Sequence, residues 1–300
     1  MLGEACTLCG ELGHGRSICR HNDVIVPPTA ATTEHTPQER TFFAQLCARL
    51  ACVALGDPSS EPERPRLGLR VVMLSDTHGR HRKVDCPQGD VLIHAGDFTQ
   101  YGRLEHAHDF NAWLAEQPHP HKLVVLGNHE ANAPWRKSVA AIVSNATVLC
   151  DQGVTISVPE GHAAAGASIR GDADAEADRV ECAPAPGERT LSVFGTNFFW
   201  PMKSHNPHYD AIPAGVDVLV SHGPAAGHAD GGMGCDELLR HCARVRPRLV
   251  VSGHIHGAHG VVQGRGELRG TTFVNAANAH HGHGHMGWPA VVLEIQFDVN

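Results

Sequence analysis

Residues 90–97 read DVLIHAGD, a short apolar run that ends in Gly96 and Asp97. Four more runs have the same arrangement of apolar residues before a polar end: LRVVMLSD at 69–76, HKLVVLGN at 121–128, VDVLVSHG at 216–223 and RLVVSGHI at 248–255. Short apolar runs without alternation are typical of strands that are buried on both faces. The five runs therefore predict the central strands of the fold.

A helix is predicted between the second and third runs, at LEHAHDFNAWLAEQ, residues 104–117. Its apolar residues fall on one helix face: Leu104, Phe110, Trp113 and Leu114. Strand–helix–strand order predicts a layered α/β domain, which we place at residues 67–300. Residues 159–190 are rich in Ala, Gly, Asp and Pro, and this composition predicts a disordered insertion between two strands.

The residues that follow the five runs form a candidate metal site. Open α/β sheets bind ligands at the carboxyl ends of their strands, so these side chains should meet. The candidate ligands are Asp76, His78, Asp97, Asn128, His222, His254 and His256. This mixture of oxygen and nitrogen donors suits Mn²⁺, Fe or Zn²⁺. Seven ligands are too many for one ion but suit two ions that share a carboxylate, an arrangement that stabilises displacement at phosphorus.

The order of these residues resembles the signature of the calcineurin-like metallophosphoesterase superfamily. That signature is D-x-H, GD, GNH[ED], a later His and GHxH, and each block is present between Asp76 and His256. Strings such as HAGDFTQYG and FGTNFFWP resemble the metallophosphoesterase-domain-containing (MPPED-like) branch within it. The resemblance covers residues 67–300. It implies a four-layer α-β-β-α sandwich and a phosphodiesterase that hydrolyses cyclic or small nucleotides.

The resemblance also implies a role for each residue. One divalent cation takes Asp76, His78 and His256, the second takes Asn128, His222 and His254, and Asp97 bridges both. A hydroxide held between the two cations attacks phosphorus. The catalytic His129 hydrogen-bonds a phosphoryl oxygen or protonates the leaving group. Some members of the branch carry Gly at the first His of GHxH, whereas this chain has His254.

Residues 194–201, FGTNFFWP, are candidate lining of the substrate pocket. We expect Asn197, Phe199 and Trp200 to contact the substrate, with Phe198 beside them, because nucleotide bases stack well on aromatic faces. Packing of these rings in the protein core is the open alternative.

A second metal site is predicted near the N-terminus. Cys6, Cys9, His14 and Cys19 have the spacing of a closed tetrahedral zinc site, which is structural. Residues 1–22 resemble a CCHC zinc knuckle. Such knuckles hold single-stranded RNA or DNA, although a protein contact or a purely structural module stays open here. Residues 23–66 are predicted to form a linker with one helix at about 37–55.

Composition bounds the function further. The chain has 300 residues, 24 of them His, and a net charge of −8, which argues against a protein that binds nucleic acid over its whole surface. No apolar run reaches the length of a membrane span, and residues 1–10 lack the pattern of a signal peptide. We therefore expect a cytoplasmic or nuclear protein without a membrane partner.

The sequence is compatible with three functions. The first is a phosphodiesterase that acts on cyclic or small nucleotides with two divalent ions, Mn, Fe or Zn. The second is a nuclease or RNA-processing enzyme whose zinc knuckle delivers the substrate. The third is a catalytically weak metal-binding scaffold.

Overall fold

The computed structural model of this chain describes residues 67–158, 189–202, 204–280, 282 and 284–297. These residues belong to one compact unit that begins at Leu67. The predicted zinc knuckle at 1–22, the linker at 23–66 with its helix, and residues 159–188 of the predicted insertion lie outside the described residues. These three expectations therefore stay predictions.

Eleven strands in the described part of the chain form two sheets. They are β1 Leu67–Leu74, β2 Val91–His94, β3 His121–Val124, β4 Thr147–Val148, β5 Gln152–Val158, β6 Arg189–Gly195, β7 Val218–Val220, β8 Leu249–Ser252, β9 Gly260–Gln263, β10 Thr272–Asn275 and β11 Val291–Phe297. The first sheet has the order β11-β1-β2-β3-β4, and the second has the order β5-β6-β7-β8-β10-β9. The inner strands are parallel, while β11, β5 and β9 run antiparallel at the edges.

Five α-helices are described. They are α1 Leu104–Glu116, α2 Asn128–Ala131, α3 Val139–Ile142, α4 Pro207–Asp210 and α5 Asp236–Val245. Short 3₁₀ turns lie at His81–Lys83, Arg136–Ser138, His256–Ala258 and Gly266–Leu268. None of the described helices is long and apolar enough to cross a membrane.

The two sheets pack face to face and each carries helices on its outer face. The central core joins residues of both sheets, such as Met73 and Ile93 of the first with Val193 and Val251 of the second. The opposite face of the first sheet packs against α1 and α3, and that of the second packs against α4 and α5. These four layers confirm the predicted α-β-β-α sandwich.

The predicted central elements are confirmed. All five apolar runs form inner parallel strands, and the predicted helix is α1. One boundary needs correction, because Arg189 and Thr190 pair with β5 as the first residues of β6 and so are not part of an insertion. The strand hydrogen bonds supply the partners that these two residues would lack in a disordered segment.

His81 gives the fold a dependence on pH. Its side chain is fully buried against Phe110 and Trp113 of α1, and Nε2 lies 3.0 Å from a carboxylate oxygen of Asp109. Burial lowers the pKa of His81 to about 4, although Asp109 partly opposes this shift. In the unfolded chain His81 binds a proton near pH 6.5, whereas in the folded chain it binds one only near pH 4. The folded state therefore loses stability as the pH falls from 6.5 towards 4.

We expect His81 to contribute a fall in the unfolding free energy of about 1.4 kcal/mol per pH unit within this window. Urea unfolding at pH 7, 6 and 5 should therefore show a shallower pH dependence for His81→Gln than for the parent chain. All other titrating groups are common to both chains, so equal slopes would contradict the assignment.

Candidate metal centre

The carboxyl ends of the parallel strands meet at one edge of the sandwich. Leu74, His94 and Val124 are in register at the ends of β1, β2 and β3, so the loops that follow lie side by side. Val220 and Val251 are likewise paired near the ends of β7 and β8. All seven predicted ligands lie in the segments that directly follow these five strands, with Asn128 at the first position of α2 and His256 at the first position of a 3₁₀ turn.

The first group of donor atoms comes from the loops after β1 and β8. His256 Nε2 lies 3.2 Å from Asp76 Oδ1 and 3.2 Å from His78 Nε2. His78 Nε2 lies 4.0 Å from the same Asp76 oxygen. Bonds of ~2.0–2.2 Å to one ion place neighbouring ligand atoms at such separations. The three residues predicted for one cation are therefore brought together.

The second group comes from the loops after β2, β3, β7 and β8. His222 Nε2 lies 3.1 Å from Asn128 Oδ1 and 3.4 Å from Asp97 Oδ2. The donor atoms of Asp97, His222 and His254 all lie within 4.8 Å of one another. The second predicted set is therefore also assembled, with the amide oxygen of Asn128 beside it.

Asp97 lies between the two groups. Its donor oxygen also comes within 4.8 Å of the imidazoles of His78 and His129, in a third cluster of possible ligands among the described residues. A carboxylate has two oxygens and can serve two ions at once, so this placement fits a bridging ligand. The sequence order alone does not show which carboxylate occupies the middle.

The electrostatics of the cluster favour a bound cation. Asp76 and Asp97 are buried, yet the neighbouring imidazoles outweigh the effect of burial and hold the pKa of both carboxyls below the ordinary range. Burial lowers the pKa of His222, but Asp97 and Asp76 outweigh it and raise this pKa to about 10. Burial lowers the pKa of His254 to about 3. Two ionised carboxylates thus draw positive charge to a centre whose other donors are imidazole nitrogens and the Asn128 amide oxygen.

Backbone carbonyls orient two of the imidazoles. Nδ1 of His222 lies 2.7 Å from the carbonyl oxygen of Ala95, and Nδ1 of His78 lies 3.4 Å from that of Thr99. A carbonyl oxygen only accepts, so each Nδ1 donates its proton, and Nε2 is the nitrogen that faces the centre, where a cation would take the place of any proton on it. This tautomer is the one that a metal ligand needs.

Glu130 fixes the loops that carry Asp97 and Asn128. Its buried carboxylate accepts hydrogen bonds from the backbone N–H groups of Asp97, Thr99 and Gly127 at 2.9, 2.8 and 3.0 Å, and from the Thr99 hydroxyl at 2.6 Å. Burial and the Asp97 charge raise the pKa of Glu130 to about 7, while the hydrogen bonds from Thr99 lower it. The sequence shows an acidic residue in the GNH[ED] block, but its contacts explain why one is needed.

The backbone around the ligands adopts a conformation that non-glycine residues rarely take. Asp76, His78, Asp97 and His254 have φ values of 56°, 46°, 54° and 66°. Such strain costs about 1–3 kcal/mol for each residue and persists only where the surrounding structure enforces it. This strained backbone occurs at four of the predicted ligands, which independently supports a functional site.

Gly127 and Gly253 allow the loops to approach. A Cβ on Gly127 would lie 2.0 Å from Asp97 Oδ1, and one on Gly253 would lie 2.3 Å from Asp76 Oδ2. The carboxylates fill the space that a side chain would occupy. The residues present therefore fit a two-cation centre by donor type, by spacing and by charge.

The predicted catalytic residue His129 faces the same centre. Its Nε2 lies 3.7 Å from Asp97 Oδ2, and the backbone N–H of Tyr101 donates to its Nδ1 over 2.7 Å. The carbonyl of Thr99 lies farther from the same Nδ1, at 3.2 Å. Because a backbone N–H can only donate, Nδ1 accepts and Nε2 carries the proton. The half-exposed ring of Tyr101 stacks on His129 with 5.2 Å between centroids.

The predicted pocket residues separate into two sets. The Trp200 ring lies 4.2 Å from that of His254, and Phe198 lies 5.4 Å from His254 and 5.5 Å from His222. Phe199 instead stacks on His208 at 4.5 Å. Asn197 donates from its side-chain amide to Asp151 at 2.6 Å. Phe198, and not the predicted Phe199, is thus the phenylalanine beside the proposed ligands, because the Phe199 ring turns towards His208.

The predicted structural zinc ligands Cys6, Cys9, His14 and Cys19 lie outside the described residues. The four described cysteines, Cys86, Cys150, Cys235 and Cys242, are free thiols.

Comparison with known proteins finds several relatives. A family model described as calcineurin-like phosphoesterase matches residues 69–258. Metallophosphoesterase domain-containing protein 1 of Mus musculus is 31% identical over 296 residues, which cover 88% of this chain and 81% of the mouse protein. The Homo sapiens protein of the same name has the same identity and coverage. A UPF0046 protein of Caenorhabditis elegans is 32% identical over 76% of each chain.

Among solved structures, TT1561 of Thermus thermophilus aligns over 69% of this chain and 88% of its own. The alignment has 11% identity and a TM-score of 0.41.

Proposed function

Because this chain belongs to the calcineurin-like phosphoesterase family, we propose that it is a metal-dependent phosphodiesterase that hydrolyses cyclic or other small nucleotides. The observation that carries the proposal is the meeting of seven donor residues in two groups that share Asp97. Family members of this kind typically bind two divalent metal ions.

Each cation has its own set of side chains in this proposal. Asp76, His78 and His256 would hold one, while Asn128, His222 and His254 would hold the other, and Asp97 would contribute to both. Two divalent cations would neutralise negative charge on the phosphoryl oxygens and would lower the pKa of a bound water molecule. The donor set suits Mn, Fe or Zn equally well.

His129 is the proton donor. Its Nε2 carries the proton and faces the carboxylate of Asp97, while Tyr101 fixes the ring through Nδ1. From this position Nε2–H hydrogen-bonds a phosphoryl oxygen or protonates the leaving oxygen as the ester bond breaks. General acid catalysis of this kind contributes about 10²–10⁴-fold to the rate.

Aromatic rings flank the centre on two sides and support a substrate with a flat base. Tyr101 covers His129, while Phe198 and Trp200 cover His254. A nucleobase held between or upon such rings gains stacking energy that a small inorganic ester would not. Asn197 acts indirectly in this proposal, because its hydrogen bonds to Asp151 position the loop that carries Phe198 and Trp200.

The substrate class is tested with the full chain loaded with Mn²⁺ or Zn²⁺. We expect turnover of bis-p-nitrophenyl phosphate and of 2′,3′- or 3′,5′-cyclic nucleotides, with slower turnover of p-nitrophenyl phosphate, a monoester. Hydrolysis of the monoester alone would contradict the phosphodiesterase proposal. Tight binding of both cations without turnover of any ester would support the metal-binding scaffold instead.

The matched control for this screen is His129→Gln. It removes the proton donor and leaves all seven proposed ligands, so kcat should fall about a hundredfold while both cations stay bound. Metal content measured on the same sample separates this loss from loss of the centre.

A further inference from the structure

A short segment lies beside the candidate metal centre and is held by residues outside it. Residues 196–202, named here the strap, follow β6 and carry the rings of Phe198 and Trp200. These rings lie against His254 at centroid distances of 5.4 and 4.2 Å. Trp200 also covers Gly223, where an added Cβ would lie 2.4 Å from the indole. The strap therefore forms one wall of the centre.

Asp151 accepts two hydrogen bonds from Asn197 at the beginning of the strap. One carboxylate oxygen accepts from the backbone N–H of Asn197 at 2.9 Å, and the other accepts from the Asn197 side-chain amide at 2.6 Å. His208, which stacks on Phe199, lies 3.1 Å from the second oxygen. The Asp151 side chain is 17% exposed, so these hydrogen bonds are largely shielded from water.

The other end of the strap is tied independently. The hydroxyl of Tyr209 donates to the carbonyl oxygen of Phe199 at 2.5 Å, and the backbone N–H of Met202 donates to the Cys235 sulfur at 3.4 Å. Phe198 lies between Asn197 and the Tyr209 tie, whereas Trp200 lies between the Tyr209 and Cys235 ties. A loss of the Asp151 hydrogen bonds would thus loosen the strap at one end without unfolding it.

The backbone of Asp151 also indicates a constrained position. Its φ is 55°, in the left-handed region that Asp and Asn tolerate better than other non-glycine residues. Asp151 lies between β4 and β5 and is not among the clusters of possible metal ligands. A strained residue that makes bidentate hydrogen bonds to a loop is well suited to positioning that loop.

We propose that Asp151 is a positioning residue whose carboxylate holds the strap so that Phe198 and Trp200 form a binding wall for the aromatic group of the ester substrate. The inference rests on the proposed phosphodiesterase function for its effect on turnover. Asp151 touches no proposed ligand, so its effect should fall on substrate affinity and leave the chemical step and the cations unchanged.

The direct test is Asp151→Asn. Asn keeps the size and tolerates the left-handed backbone, but it has one acceptor oxygen for the two Asn197 donors, so one of the two hydrogen bonds is lost. We expect KM for bis-p-nitrophenyl phosphate to rise about tenfold, in line with the loss of one stacking contact, while kcat changes less than about threefold. Metal content should stay that of the parent chain.

Asp217→Asn is the matched control. Asp217 is a partly buried aspartate that accepts two hydrogen bonds from Ser192, at 2.9 and 2.8 Å, between β6 and β7. It resembles Asp151 in burial and bonding but holds no part of the strap. Its replacement should leave KM at the parent value, and an equal rise in both variants would overturn the proposal.

Fluorescence of Trp200 provides a readout that needs no turnover. Its emission is isolated as the difference between a chain with Trp200 and the same chain carrying Trp200→Phe. We expect Asp151→Asn to shift this difference emission to longer wavelength. The ties at Phe199 and Met202 keep the indole in place, but release of Asn197 and Phe198 lets water reach it from that side. An unmoved emission would overturn the proposal even if KM rose.

A double variant tests the hydrogen bonds themselves. Asp151→Asn combined with Asn197→Asp reverses donor and acceptor, so both hydrogen bonds can form again with the same backbone. The Trp200 emission should return to its original wavelength, and failure to return would count against the pair. If the parent chain hydrolyses no ester but the emission shifts and recovers, the proposed function fails while the positioning role of Asp151 stands.

Discussion

Replacement of Asp97 by Asn is expected to lower kcat about a thousandfold or more and to remove at least one of the two cations. The side chain lies within ligand distance of His78 on one side and His222 on the other, so it is the point that both groups share. Loss of one bridging charge forfeits several kcal/mol of transition-state stabilisation, and each 1.36 kcal/mol is a factor of ten in rate.

The measurement combines kcat for bis-p-nitrophenyl phosphate with metal content after dialysis. Asp217→Asn serves again as the control, because it removes a partly buried carboxylate that lies outside both donor groups. A variant of Asp97 that retains two cations and full turnover would refute the bridging role, and with it the proposed arrangement of the centre.

Gly127→Ala is expected to be nearly as damaging although it changes no ligand. The new methyl carbon would lie 2.0 Å from Asp97 Oδ1 and 2.5 Å from the Asp97 backbone nitrogen, so the whole loop after β2 must move. A displacement of about 1 Å in a catalytic constellation costs about a hundredfold in rate. We expect that loss in kcat together with weaker metal retention, both measurable on one preparation.

Gly257→Ala is the matched control for this substitution. Gly257 is next to the proposed ligand His256, yet a Cβ there would meet none of the described residues within 4 Å apart from its chain neighbours. Its activity should stay within about twofold of the parent. Equal activity of Gly127→Ala and Gly257→Ala would show that the close approach of the two loops is not needed.

The inner strands and their polar ends could be predicted because both depend on local sequence. A buried strand must be apolar throughout, and a residue at its carboxyl end is placed by the sheet rather than by its own loop. β11 was not predicted, because it has no continuous apolar run. Its apolar residues Leu293, Ile295 and Phe297 alternate with Glu294 and Gln296, which is the pattern of a half-buried strand. Helix α5 was missed as well, although Leu238, Cys242 and Val245 recur at helical spacing.

The details of the loops could not be predicted in the same way. The residue types of His78 and His254 do not predict their left-handed backbone. The hydrogen bonds that accompany it are made to other loops, from His78 N–H to the Asp97 carbonyl and from His254 N–H to Asp76 Oδ2. Phe198 and Phe199 are equivalent in sequence, and only the path of the strap decides which ring reaches His254. The network around Glu130 likewise depends on contacts across more than 30 residues of chain.

The pairing of loops across the sandwich has one more consequence. Asp76 and His78 follow a strand of the first sheet, whereas His256 follows a strand of the second, and Asn128 and His222 are divided in the same way. An ion bound by either group would therefore be a cross-link between the two halves of the domain. Removal of metal by a chelator should then lower the melting temperature as well as stop turnover, since the energy of binding is also energy of assembly.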